Sequence, residues 1–97
     1  MAWIHVRQHV RDYNAWKEVY DQTSELKRSL GWKRYQLFMV EGDRNDLIVM
    51  EEFETAEGAH RFIDSADLRA AMDRAGVIGA PEILILSGLE SGAVDKF

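Results

Sequence analysis

Three stretches of this chain are apolar at four successive positions: Leu37-Phe38-Met39-Val40, Leu47-Ile48-Val49-Met50 and Ile83-Leu84-Ile85-Leu86. A strand sends alternate side chains to opposite faces, so each stretch is apolar on both sides of any sheet it joins. The 97 residues leave room for two helical segments, enough to cover one face of a small sheet. The other face needs its own cover, and a second copy of the chain is the simplest one. A chain of this length is expected to form a single domain over 1–97, with 88–97 as a C-terminal tail. It buries roughly 60–65% of its unfolded surface, so its stability is thin and a partner helps.

The remaining pattern supplies the order of elements. Residues 3–10 alternate, with Ile4, Val6 and Val10 on one parity and Trp3, His5, Arg7 and His9 on the other, which predicts a strand with one apolar face. Asp12 suits the N-cap of a helix over about 13–29. Tyr13, Trp16, Val19, Tyr20, Leu26 and Leu30 form its apolar stripe, Thr23 bridges a gap, and Glu18, Gln22, Glu25 and Lys27 are expected to face outward. Gly31 ends this helix. Strands are expected over 32–41 and 47–54, joined as a hairpin through Gly42-Asp43-Arg44-Asn45-Asp46. Thr55 caps a second helix containing Ala56, Ala59, Phe62 and Ile63. It breaks or bends at Ser65-Ala66-Asp67 and continues through Leu68, Ala71, Met72 and Ala75. Gly76 and Gly79 bracket a loop, Pro81 opens a last strand to about residue 87, and the tail carries Leu89, Val94 and Phe97.

The order β-α-β-β-α-β, with short connections and right-handed crossovers, predicts an α+β fold of the ferredoxin-like kind. Four antiparallel strands form one sheet, and both helices lie on one face. The opposite face stays apolar at three strands, a larger patch than a monomer usually exposes. Two such sheets packed face to face would bury it, so a homodimer is expected.

Composition excludes several classes of function. The net charge of −5, with no basic run longer than two residues, argues against a nucleic-acid partner. With no cysteine there is no disulfide, thiolate nucleophile or thiolate metal site, which fits a cytoplasmic protein. The first twenty residues hold no signal-peptide core, and no apolar run approaches the ~20 residues that span a membrane. No nucleophile elbow, phosphate loop, dinucleotide fingerprint or kinase signature is present, and no cofactor is expected.

Few residues remain to carry chemistry. His5 and His9 lie about 13 Å apart on a strand. A metal needs each nitrogen within about 2.1 Å, so the two cannot share an ion. His5 alone, in mid-strand, faces either a pocket or a dimer seam, as a general base or as a hydrogen-bonded structural histidine. Trp16 is either core or the wall of a pocket for a flat aromatic ligand. Tyr35 and Arg34 take opposite faces of the second strand. His60 sits at the margin of the second helix's buried stripe, lining a pocket mouth or facing solvent. Alternation separates Glu51 from Glu52 and Glu54, a pair about 7 Å apart that reads as an exposed strand end.

The segment Val10-x-Asp12-Tyr13-x-x-Trp16-Lys17-x-x-Tyr20-Asp21 resembles the strand-to-helix region of small dimeric α/β-barrel proteins. Glu52-Phe53-Glu54-Thr55-x-Glu57-x-Ala59-x-x-Phe62 is similar to their second half. So is Ser65-x-x-Leu68-x-x-x-Met72-x-x-Ala75-Gly76-Val77-x-Gly79-x-Pro81-x-Ile83. The match covers about 4–87 and points to the antibiotic biosynthesis monooxygenase-like or cyclase-like part of that superfamily. Its members include cofactor-independent quinone-forming monooxygenases, haem-degrading oxygenases, polyketide cyclases and lactone isomerases, and others with no assigned reaction.

The resemblance implies a homodimer whose two sheets close a barrel, with a pocket between sheet and helices in each subunit. Haem degradation in this group needs an Asn on the first strand, a Trp on the second helix and a His ten residues later. The matching helix positions here are Phe62 and Met72, and the first strand has no Asn, which argues against that activity.

Two functions follow. One is an enzyme acting without metal or flavin on a small aromatic or polyketide-like molecule. His5 would be its base, Tyr35 or His60 would hold the developing oxyanion, and Trp16, Phe62 and Met72 would surround the ligand. If it is an oxygenase, the substrate itself supplies electrons to oxygen. The other is a non-catalytic ligand-binding or assembly domain. A titratable group facing a ligand-sized cavity favours the first, and a cavity filled by Trp16, Phe62 and Met72 favours the second.

Overall fold

A computed structural model describes residues 1–95; Phe97, expected as part of the tail, lies outside them. The elements are β1 (Ala2–Val10), α1 (Tyr13–Gln22), α2 (Ser24–Ser29), β2 (Trp32–Val40), β3 (Asp43–Phe53), α3 (Ala56–Ile63), α4 (Ala66–Ala75) and β4 (Val77–Ser87). The strands pair antiparallel in the order β2-β3-β1-β4. This is the ferredoxin-like arrangement that the order of elements predicts. No helix among the described residues is long and apolar enough to cross a membrane.

Side-chain alternation divides the sheet cleanly. Ala2, Ile4, Val6, Gln8 and Val10 of β1 pack under the helices with Leu47, Val49, Glu51 and Phe53 of β3. Ile4 and Phe53 are fully buried, each contributing about 1.5–3 kcal/mol. Trp16, Ala59, Phe62 and Ala75 close the core from the helical side.

The other face carries three cross-strand rows. They are Arg34, Glu52, Trp3 and Leu86; then Gln36, Met50, His5 and Leu84; then Phe38, Ile48, Arg7 and Glu82. Phe38, Leu84 and Leu86 are exposed there. On β2 the open face therefore takes the parity of Arg34, Gln36 and Phe38.

Three expectations change in detail. The first helix is two, because Thr23 (φ −87°, ψ 0°) interrupts it. Thr23 donates its backbone N–H and its hydroxyl to the Tyr20 carbonyl, tightening the turn. The hairpin is tighter than expected: β3 starts at Asp43, and Gly42 takes the positive φ of 88° that the turn needs. The last strand starts at Val77, directly after Gly76 caps α4 in the left-handed region. The register of β4 against β1 shifts between Arg7 and His9. Gly79 and Pro81 fall in that irregularity, where a proline needs no ladder partner.

Within the second helical region the break falls where expected. Ser65 caps α4 by accepting from the Leu68 N–H. Residues 88–95 form no helix or strand.

Candidate functional site

Between the sheet and the helices lies a cavity of about 50 Å3. Its walls are Val6 and Val49 from the sheet, Trp16 and Val19 from α1, Phe62 and Ile63 from α3, and Leu68, Ala71 and Met72 from α4. An apolar cavity of about 150 Å3 admits benzene. Here a ring enters only if side chains move. Leu68 and Met72 are half-buried, and a methionine thioether repacks readily.

Polar groups interrupt this lining at Gln8, Tyr20, Thr23 and Glu51. Glu51 stands on the core-facing parity of β3, between Val49 and Phe53, opposite the fully buried Ile4. Its Oε2 accepts from Lys27 Nζ at 2.7 Å and from the Tyr20 hydroxyl at 2.8 Å. The Lys27 side chain is 0% exposed. Its ammonium lies 3.7 Å from the centre of the Tyr20 ring and 4.3 Å from that of Trp32.

Two aromatic faces and one carboxylate thus compensate the buried cation. Burial pushes the Lys27 ammonium down from its ordinary pKa, and Glu51 opposes that shift. Burial, then the Glu51 charge, pushes the Tyr20 hydroxyl upward, so it stays a donor. The resulting centre is a net-neutral Lys27–Glu51 pair at one end of an apolar cavity.

The aromatic residues form a continuous line beside it. Trp16 stacks on Tyr20 at 4.9 Å, Tyr20 meets Tyr35 at 6.0 Å, and Tyr35 stacks on Trp32 at 5.3 Å.

The structure separates the residues expected to share a site. Trp16, Phe62 and Met72 line the cavity together; His5, Tyr35 and His60 do not. His5 lies on the open face between Met50 and Leu84, with Nδ1 buried and without a partner among the described residues. Tyr35 is on the helical side but at the sheet edge, 48% exposed. His60 is exposed on α3. A histidine base and a tyrosine or histidine oxyanion donor therefore do not converge within one chain. No cluster of three or more His, Cys, Asp or Glu that could hold a metal occurs among the described residues.

Lys27 and Glu51 were missed, although the sequence carries their signal. Trp16, Tyr20, Thr23 and Lys27 follow the helical spacing i, i+4, i+7, i+11, so Lys27 continues the buried stripe. Residue type, not spacing, suggested that it faces outward. Glu51 shares parity with Leu47, Val49 and Phe53. A basic residue on one core-facing stripe and an acidic one on the other are each other's natural partners. Glu52, expected at an exposed strand end, is buried on the open face beside Arg34, 2.9 Å away.

No protein-family model matches the chain, and no curated protein matches it in sequence. Solved structures do share its fold. SnoaB from Streptomyces nogalater, a cofactor-independent oxygenase, superposes with a TM-score of 0.75 at 12% identity, covering 93% of this chain and 94% of that one. A protein from Nitrosomonas europaea assigned as an antibiotic biosynthesis monooxygenase gives 0.72 at 20% identity, covering 93% and 100%. One from Caulobacter crescentus with the same assignment gives 0.72 at 19%, covering 92% and 90%. The chain thus has the ferredoxin-like fold seen in antibiotic biosynthesis monooxygenase-like structures.

Proposed function

We propose that this protein binds a small aromatic or polyketide-like molecule in the sheet–helix cavity and acts on it as a cofactor-independent monooxygenase- or cyclase-like enzyme. The observation that carries the reading is Glu51, a carboxylate held by Lys27 and Tyr20 at the wall of an otherwise apolar cavity. Glu51 would take a proton from the ligand, and the resulting anion would either cyclise or give its electrons to dioxygen. The cation beside Glu51 balances the charge left on the ligand. The shared fold with a cofactor-independent oxygenase supports this reading, and the cysteine-free composition fits a cytoplasmic setting.

The same reading includes a homodimer through the open face. Phe38, Leu84 and Leu86 are exposed there beside Trp3, His5, Ile48 and Met50. His5 would then be a seam residue, outside the cavity.

One observation favours a non-catalytic ligand-binding or assembly domain: Trp16, Phe62 and Met72 leave only about 50 Å3 between them. Oxygen uptake with a panel of hydroquinones separates the two. The enzyme reading predicts turnover with at least one of them, lost when Lys27→Met and Glu51→Leu are combined and retained in His5→Ala. No uptake with any member supports the non-catalytic reading.

A further inference from the structure

Two residues that line the cavity, Gln8 and Glu51, each carry an acceptor that packing leaves uncommitted. Gln8 is 5% exposed and lines the cavity, yet its Oε1 meets no donor among the described residues. A buried acceptor without a partner is costly, and a native fold that keeps one has a use for it or fills it with a ligand or water. Glu51 is 3% exposed and lines the same cavity. Both of its hydrogen bonds fall on Oε2, which leaves Oε1 uncommitted to Lys27 or Tyr20.

The sheet register sets their spacing. Gln8 pairs with Leu47, and Glu51 lies four residues further along β3, about 13 Å away along the strand. Val6, Val49, Trp16 and Phe62 stand among the lining residues that are apolar. The cavity is thus an apolar slot with Gln8 toward one end and Glu51 toward the other.

Charge narrows the ligand further. Lys27 already balances Glu51. An anion entering the slot would meet the Glu51 carboxylate, and a cation would meet the Lys27 ammonium at the same end. Either charge would be desolvated without a partner of its own. A neutral hydroxyl or N–H satisfies Oε1 at no such cost.

We infer that the cavity selects a neutral, flat molecule carrying a hydrogen-bond donor at each end, one for Gln8 Oε1 and one for Glu51. The inference rests on the ligand-binding reading above and adds the chemistry that the ligand must present. It makes Gln8 and Glu51 specificity-determining residues.

Calorimetric titration under nitrogen, with oxygen excluded, tests it. The probes are hydroquinone, its dimethyl ether and terephthalate, which share one ring and differ in having two donors, none, or two negative charges. They are titrated into the wild-type protein and into Met72→Ala, whose slot is wider. Hydroquinone is expected to bind at least about tenfold more tightly than the ether, the equivalent of one net hydrogen bond, and terephthalate more weakly than either. Gln8→Leu should reduce that preference. So should Lys27→Met combined with Glu51→Leu, a variant that removes the acceptor while replacing the buried pair with apolar groups. Equal affinity for hydroquinone and the ether, or a preference for terephthalate, overturns the donor rule and leaves the cavity as a ligand site. Binding of no probe to either protein overturns the ligand site itself, and the donor rule with it.

Discussion

Lys27 Nζ lies 2.7 Å from Glu51 Oε2, with the two side chains 0% and 4% exposed. The contact fixes α2 to the third strand across the interior. Removing one partner leaves the other charged and desolvated. Lys27→Met and Glu51→Leu alone are each expected to cost about 3–5 kcal/mol, whereas the double variant should be near neutral or more stable. Urea unfolding measures all three. A loss in the double equal to the sum of the two single losses would mean that the charges are not coupled.

The acid limb of the stability curve should report Asp46. The Arg7 guanidinium, 2.9 Å away, holds the Asp46 carboxyl below its usual range. As pH falls, the unfolded chain takes up this proton before the folded one. The contribution is therefore complete above the unfolded value of about 3.9 and is lost as pH falls through the lower folded value. Asp46→Asn should lower stability at neutral pH and flatten the curve below about pH 4. An unchanged acid slope contradicts the assignment.

Gly58 offers a test of packing by sign. Alanine in a helix normally stabilises by about 0.5–1 kcal/mol over glycine. A Cβ at Gly58 would sit 2.1 Å from the Leu30 carbonyl oxygen. Gly58→Ala is therefore expected to destabilise the protein, by about 1–3 kcal/mol, as read from its melting temperature. Stabilisation would show that α3 sits further from Leu30.

The open face should control assembly. Light scattering at micromolar concentration is expected to give about twice 11.2 kDa. Leu84→Glu, beside His5, should give a monomer or an insoluble product, since burying an unpaired charge is strongly unfavourable. A monomeric wild type removes the proposed dimer.

The parts of the fold that were legible in the sequence are those where one force acts alone. Ile4, Val6 and Val10 announce the core face of β1 because alternation has a period of two and nothing opposes it. The turn at Gly42, the caps at Asp12 and Thr55 and the break at Ser65 were legible from side-chain chemistry.

The candidate site was less legible because it breaks the rule that charges face water. Lys27 and Glu51 each read as a surface residue by type and as a core residue by spacing. Only pairing two elements distant in sequence resolves the conflict. His5 shows the converse. Its position in mid-strand was clear, but which side of the sheet holds the cavity is a tertiary fact, set by where α1 and α4 pack.

The proposed function requires that ligands enter between sheet and helices. Methyl NMR of the protein titrated with hydroquinone under nitrogen tests it most directly. Shift changes are expected at Val6, Val49 and Leu68, with Ile48, Leu84 and Leu86 of the open face unmoved. Changes confined to the open-face methyls would contradict it.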